Sequence, residues 1–540
     1  MALAYINGRV FTLDPQKPWA EAFIVDASGR FASIGTSEEI RTTAIREGNV
    51  ARNLRGRFVM PGIHDAHTHL LGAATQQLSE ALIGTNSDHL TLGPNIKTAS
   101  CHCEYAHTLG EWIVASFYSA LQFPDGKDFT LPDLTRIKTD TSPQGQPGRK
   151  YLDTEFPDTP VAVRDPSLHN CLVNTEALKR LGYDSANPPE FPGGQFVRRE
   201  TGEVTGELLE AASGELWMNM PQPPATFVRR ALEHSMRVCN RYGITSCQEA
   251  SANTAYLKAL REIEMAGGMT VDLHTHIVHS PARYAQEEAE GLQALLHVAD
   301  VFESECVRTR FVKFWLDGAP LPPHLTQSDL REDGRPDEAM ILVDWDTLLG
   351  ALVKYDAKGY TCKIHCAGEG SVRRALDAIE KVRERNADGP SHEVAHCNAV
   401  HEDDIPRFKR LRVTAEMSPA IFHSPEVALV PHLLRWPFRQ MLDHDVRMTI
   451  GTDYFLTPTP NLFPTLQAVV GKLSAEEILR AITIEGAKAV GRDHELGSIQ
   501  EGKLANFISV DSDLTQGGFE DAKVLETWHR GKSVWASGDV

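Results

Sequence analysis

Between residues 59 and 453 eight short apolar runs alternate with longer amphipathic stretches, and this alternation restricts the chain to very few architectures. The runs fall at 59–69, 244–249, 270–278, 310–317, 361–366, 393–397, 413–418 and 448–453, and read as buried strands. Residues 224–242, 346–358, 371–385 and 475–490 lie between or after them and carry apolar side chains at intervals of three and four, the signature of helices with one buried face. A strand followed by a helical crossover brings the next strand back parallel to the first, and a sheet covered by helices needs strands that are apolar throughout. Eight such units predict an α/β fold, a (β/α)8 TIM barrel, with an open doubly wound sheet as the alternative.

The ends of the chain have a different texture. Residues 4–58 show short alternating strands broken by turns, and residues 505–510 and 523–530 repeat that pattern before the Gly531-Lys532 turn. Neither end holds enough apolar residues for a core of its own, so residues 1–58 and 491–540 are expected to form one small β-sandwich beside a barrel spanning 59–490. About 170 residues separate the first two barrel strands, far more than a helix and its loops require. Residues 75–222 are therefore expected to contain an inserted subdomain, with turn signals at 141–148 and 188–194. It follows the C-terminal end of strand one, the catalytic face of such barrels, where it could form a lid.

Composition limits the function classes. A formal charge of −19 over 540 residues opposes a nucleic-acid surface and docking on anionic membranes; it says little about a small-molecule substrate, which is the expected partner. No apolar run is long enough to span a bilayer, and the first ten residues read as a strand, so a cytoplasmic location is the default. Nine cysteines without a secretory signal imply reduced thiols. Cys101-His102-Cys103 has no second pair at zinc-finger spacing and reads as exposed or packed thiols.

The chemistry-bearing residues cluster at the ends of the expected strands. In Pro61-Gly62-Ile63-His64-Asp65-Ala66-His67-Thr68-His69, strand alternation puts His67 and His69 on one face, able to share a metal ion. Lys313, flanked by Val312, Phe314 and Trp315, would be costly to bury charged and unpaired, so it must be neutralised, paired with Asp317 or extended to the strand end. His365, His396 and Asp453 each close a further strand. One such residue is usually structural, whereas His67, His69, Lys313, His365, His396 and Asp453 in matching positions are hard to explain as core filling.

This ordered set resembles the binuclear site of the amidohydrolase superfamily, and the wider chain is similar to its YtcJ-like (amidohydrolase 3) branch, which includes N-substituted formamide deformylase. The similarity is carried by residues 160–164 and 168–178, Pro192-Gly193-Gly194, residues 202–208 and 243–246, and Gly497-Ser498-Ile499-Gln500-Glu501-Gly502-Lys503-Leu504-Ala505-Asn506-Phe507. Departures lie beside the ligands. The branch commonly shows His-Ala-x-Gly-Asp-Arg-Ala where this chain has His365-Cys366-Ala367-Gly368-Glu369-Gly370-Ser371, and Gly-Ser-Asp-Trp-Pro where it has Gly451-Thr452-Asp453-Tyr454-Phe455.

The resemblance implies two divalent metal ions. His67, His69 and Asp453 would hold one, His365 and His396 the other, and an N-carboxylated Lys313 would bridge them. Imidazole-rich ligation favours zinc, with manganese or iron able to take such a site. The implied activity is hydrolysis of an amide-type C–N bond in an N-acyl, N-formyl or cyclic amide, by attack of a metal-bridging hydroxide with Asp453 as the catalytic proton carrier. Deamination or decarboxylation at the same site, and an inactive metabolite-binding barrel, are the alternatives. His169, in the insertion, either binds substrate or holds its own loop. His274 and His276 form a second His-x-His outside the implied ligand set, and Cys366 and Cys397, each following a ligand, point away from it. The oligomeric state is open, with a homodimer as the prior.

Overall fold

The computed structural model describes residues 2–100, 109–119, 122, 149–198, 202–420 and 429–538; the Cys101-His102-Cys103 cluster and the 141–148 turn lie outside these. Eight strands form the barrel: Ile63–Thr68, Ile244–Ala252, Asp272–Ser280, Val307–Trp315, Thr361–Cys366, Glu393–His396, Thr414–Met417 and Met448–Ile450. Each lies parallel to its neighbour in sequence order. Closure comes just past the eighth strand, where Asp453 N donates to His67 O at 2.9 Å and Thr68 bridges Tyr454. Gly451 permits it, because a Cβ there would lie 2.5 Å from His67 N.

Helices such as Ala225–Arg241, Trp345–Asp356 and Glu369–Arg383 wrap the outside and bury Leu232, Met236, Leu348, Leu352, Val372 and Ile379 against the strands. The 475–490 stretch forms two helices, Ala475–Ala481 and Ile484–Ala489. Thr483, at φ −139° and ψ −91°, breaks it, so that the second helix can seat Gly486 directly on the His64 ring. Apolar spacing is the same on both halves, which is why it predicts one helix. No helix among the described residues is long and apolar enough to cross a membrane.

The two chain ends share one sheet of six strands, ordered Lys532–Ala536, Val524–His529, Phe507–Val510, Phe58–Pro61, Arg9–Phe11 and Trp19–Ala20. A four-stranded sheet, Phe31–Gly35, Ala22–Val25, Leu3–Ile6 and Val50–Asn53, packs on it through Tyr5, Phe23, Phe31, Phe507 and Trp528. Residues 59–61 belong to this sandwich, pairing with Phe507–Val510, and the barrel strand starts at Ile63. Two buried strands abut without a polar residue between them, so hydropathy alone merges them. Asp272, fully buried at the start of the third barrel strand, ties the two units together by accepting from Asn506, His529, Arg530 and Arg492.

The insertion builds its own six-stranded sheet, ordered Gly194–Arg198, Val204–Glu210, Cys171–Val173, Val161–Arg164, Ile113–Ser116 and Ala81–Leu82. It has small cores of its own, one around Trp112, Phe196 and Leu208 and another around Leu92, Ile96 and Leu152. Its strand ends deliver Arg164 and Glu210, and the loop after Arg164 delivers His169, to the open end of the barrel.

Candidate metal centre

The six residues singled out in the sequence converge at the C-terminal end of the barrel. His67 and His69 present rings 5.4 Å apart; His69 Nε2 lies 3.4 Å and His67 Nε2 4.0 Å from Asp453 Oδ1. Lys313 Nζ sits 3.3 Å from His67 Nε2. His396 Nδ1 is 3.8 Å from Asp453 Oδ2, and its ring packs 4.7 Å from His67 and 4.5 Å from His365. His365 joins the group through that ring contact.

At this centre two sets of donor atoms lie within 4.8 Å of one another: His67, His69 and Asp453, and His67, His396 and Glu416. Glu416, on the seventh strand, is the residue that reading the sequence misses. Its Oε2 accepts from His67 Nδ1 at 2.7 Å, which turns Nε2 towards Lys313 and Asp453. The only local signal is a carboxylate one residue before the end of the short buried strand Thr414–Met417. Asp65, inside the quoted motif but without a stated role, accepts from Thr452 N and Thr452 Oγ1 and so anchors the segment that carries Asp453.

The electrostatics match the donor chemistry. Burial, and after it nearby cations including Lys313, holds the imidazoles of His67, His69, His365 and His396 well below the ordinary histidine range, so they offer neutral lone pairs. Burial also pushes the Asp453 carboxyl up to about 6 and Glu416 up to about 7. Burial and then the neighbouring Lys363 pull the Lys313 amine down to about 7, making its free base accessible near neutrality. Neutral imidazoles with carboxylates and a free amine suit a borderline divalent ion, and these residues fit one chemically. His396 (φ 76°) and Asp453 (φ 50°) are held in the left-handed region, at a cost of about 1–3 kcal/mol each.

A cavity of about 640 Å³ opens above the centre, with His69, His365, His396 and Asp453 on its floor and Trp217, Tyr284, Trp315 and Phe455 in its walls. His169 lines it, its ring 5.3 Å from His365. Its Nδ1 meets Glu210 Oε2 at 2.9 Å, and Glu210 also accepts from Tyr284 Oη at 2.7 Å and Thr326 Oγ1 at 2.5 Å. Burial alone would lower the His169 imidazole, but Glu210 outweighs it and raises it. Sequence reading names His169 without this partner, which lies on a separate strand of the insertion. The second pair, His274 and His276, points into the barrel interior elsewhere, each Nδ1 donating to a backbone carbonyl at 3.2 Å. Cys366 and Cys397 are buried thiols bonded to backbone carbonyls.

A closed parallel barrel with histidines and a carboxylate at its C-terminal strand ends is the architecture of the amidohydrolases, and residues 51–535 match the model of the Amidohydrolase family. The chain belongs to that family. It is similar to the N-substituted formamide deformylase of Arthrobacter pascens, with 25% identity over 552 aligned positions covering 97% of each chain. It is also similar to the putative amidohydrolase YtcJ of Bacillus subtilis strain 168, with 23% identity over 95% of each chain. In fold it resembles a metal-dependent hydrolase from Pyrococcus furiosus, with a TM-score of 0.68 and 20% identity over 95% of this chain and 100% of that one.

Proposed function

We propose that this protein is a metal-dependent hydrolase that cleaves an amide-type C–N bond in a small molecule. The observation that carries this reading is the convergence of His67, His69, Lys313, His396 and Asp453 within hydrogen-bonding or near-ligation distance at the floor of the cavity, with His365 packed beside them. His67, His69, Lys313, His365, His396 and Asp453 would hold two divalent ions, zinc being favoured by the imidazoles. When bound, the ions supply Lewis acidity, polarising the substrate carbonyl and making the attacking water more acidic.

For Lys313 to serve as an anionic ligand its nitrogen must react. The ammonium first gives up one proton to reach its free base; the neutral amine then attacks carbon dioxide, a C–N bond forms as one C=O π bond opens onto oxygen, a second proton leaves to solvent, and the side chain becomes an anionic carbamate. Burial and the low-lying basicity of Lys313 support that step. Asp453 stands between His69 and His396, and would take a proton from the attacking water and deliver it to the departing nitrogen. His169, oriented by Glu210 through Nδ1, keeps its other ring nitrogen for the substrate.

The test couples elemental analysis of the reconstituted protein to turnover of N-formyl, N-acyl and cyclic amides, with Asp453→Ala beside it. The expected result is stoichiometric metal, hydrolysis of at least one amide class, and a loss of turnover in Asp453→Ala that exceeds its loss of metal. Metal-replete protein inert on the whole panel, or Asp453→Ala with near-normal turnover, overturns the reading.

A further inference from the structure

The cavity walls contain two guanidinium groups with unlike status. Arg164, from the insertion, is already neutralised: its Nε donates to Glu80 Oε1 at 3.0 Å, and its guanidinium lies 3.7 Å from the centre of the Trp217 ring. Arg283, which precedes the wall residue Tyr284 and whose guanidinium lies 5.9 Å from the centre of that ring, has no carboxylate partner among the described residues. Its Nε is buried without a hydrogen-bond partner, and no carboxylate among the described residues forms an ion pair with it. Two acids beside this wall are committed elsewhere, and Glu262, which also lines the cavity, forms no ion pair with Arg283. Glu210 is taken by His169, Tyr284 and Thr326, and Glu287 accepts from Thr254 N and Thr254 Oγ1.

The insertion makes room for this side chain. Gly214 lies within the helix Ala211–Asn219, where glycine is less favourable than alanine by about 1 kcal/mol. A Cβ at Gly214 would stand 2.4 Å from Arg283 Cδ. The helix thus carries a residue poor for helix formation at the one point where Arg283 lies against it. An arginine so placed is half desolvated and unsatisfied, and its planar fork matches a carboxylate.

We propose, resting on the amide-hydrolase reading above, that the substrate is an anionic amide, one arm of which ends in a carboxylate held by Arg283 while an apolar or aromatic portion lies among Trp217, Tyr284, Trp315 and Phe455. Tyr284 stacks on Trp315 at 4.8 Å and bonds Glu210, so the wall that carries Arg283 is continuous with the group that orients His169 over the centre. The carboxylate therefore docks on the side of His169 and Tyr284, away from the metal ligands.

Two measurements on the full-length, metal-loaded protein test this. Turnover of N-formyl-DL-phenylalanine is compared with that of N-formyl-DL-phenylalaninamide, and binding of 3-phenylpropanoate with that of 3-phenylpropanamide, in wild type, Arg283→Met and Gly214→Ala. The acids are expected to be preferred by about 10- to 100-fold in wild type, the scale of a charge-assisted pair, and both variants to lose most of that preference with metal content retained. Gly214→Ala displaces Arg283 without deleting it and stands in if Arg283→Met fails to fold. The binding arm needs no catalysis, so an inert wild type that still prefers the acid refutes the reaction and supports the anion site. Equal binding of acid and amide by wild type, or an acid preference that persists in both variants because the carboxylate sits on the metals, overturns the proposal.

Discussion

Replacing Lys313 with methionine tests the centre at the residue whose charge the proposed chemistry changes most. The side chain is fully buried, with Nζ 3.3 Å from His67 Nε2 and 4.7 Å from the centre of the Trp315 ring, and methionine fills a similar volume without charge. An ammonium at this point repels a dication held by His67, whereas a carbamate attracts it. One unit of charge about 4 Å from a dication is worth about 8 kcal/mol at an effective dielectric of about 20. Desolvation of the anion consumes most of that, and if about 2 kcal/mol survives, the variant binds a shared ion about 30-fold more weakly. Elemental analysis after gel filtration is expected to drop from about two ions per chain to about one, and kcat/KM to fall by about 100-fold or more. Loading with 13C-bicarbonate is expected to give one carbamate resonance in wild type and none in Lys313→Met. A variant that keeps both ions and a kcat/KM within about threefold of wild type refutes the reasoning.

Glu210→Gln removes the charge that holds His169 while preserving the shape of its contacts with Tyr284 and Thr326; kcat/KM is expected to fall about 10-fold, and the double variant with His169→Asn to lose no more than His169→Asn alone, as measured by steady-state kinetics. Additive losses would remove Glu210 from the role of positioning His169. Asp272→Asn leaves the Arg492 and Arg530 guanidiniums without their shared buried anion, and is expected to cost about 3 kcal/mol at neutral pH, read as earlier thermal unfolding and faster hydrogen exchange in Phe507–Val510 and Val524–His529. Burial opposes ionisation of Asp272, but His529, Arg530 and Arg492 together outweigh it and hold the carboxyl well below its ordinary range. The unfolded chain therefore binds the proton first, so this stabilisation is complete above the unfolded value of about 4 and drains away as pH falls below it, a loss that Asp272→Asn should not show.

Much of this architecture is local in origin and so legible in the chain. Barrel strands and their terminal His67, His69, Lys313, His365, His396 and Asp453 can be read because a short apolar run ending in a polar residue needs no knowledge of distant partners. The boundary at 59–63 escapes for the same reason in reverse: Val59-Met60-Pro61 and Ile63 belong to different sheets but look alike to hydropathy. Within the insertion, strands as short as Cys171–Val173 carry too few residues to show a period, and their order is set by pairing across long loops. Arg283 and Gly214 look ordinary in isolation; only the fold brings the helix of one against the side chain of the other.

The largest gap between sequence and site concerns which nitrogen each histidine offers. His67 Nδ1 donates to Glu416, whose carboxylate oxygen accepts, and Nε2 is left facing Lys313 Nζ with its lone pair. His69 Nδ1 meets Ser251 Oγ at 2.9 Å, and since that hydroxyl spends its proton on Glu249 Oε1, it must accept from the ring, freeing Nε2 towards Asp453. His365 is the reverse: Nε2 meets the carbonyl of Gly318, which can only accept, so Nδ1 is the nitrogen with a lone pair. A carboxylate, a hydroxyl and a backbone carbonyl from three separate segments thus choose the donor atoms, and a change in any of them would present a proton where the centre needs a lone pair. The histidines announce that an ion can bind. These partners decide the geometry in which it is met, and none of them is adjacent in sequence to the histidine it controls.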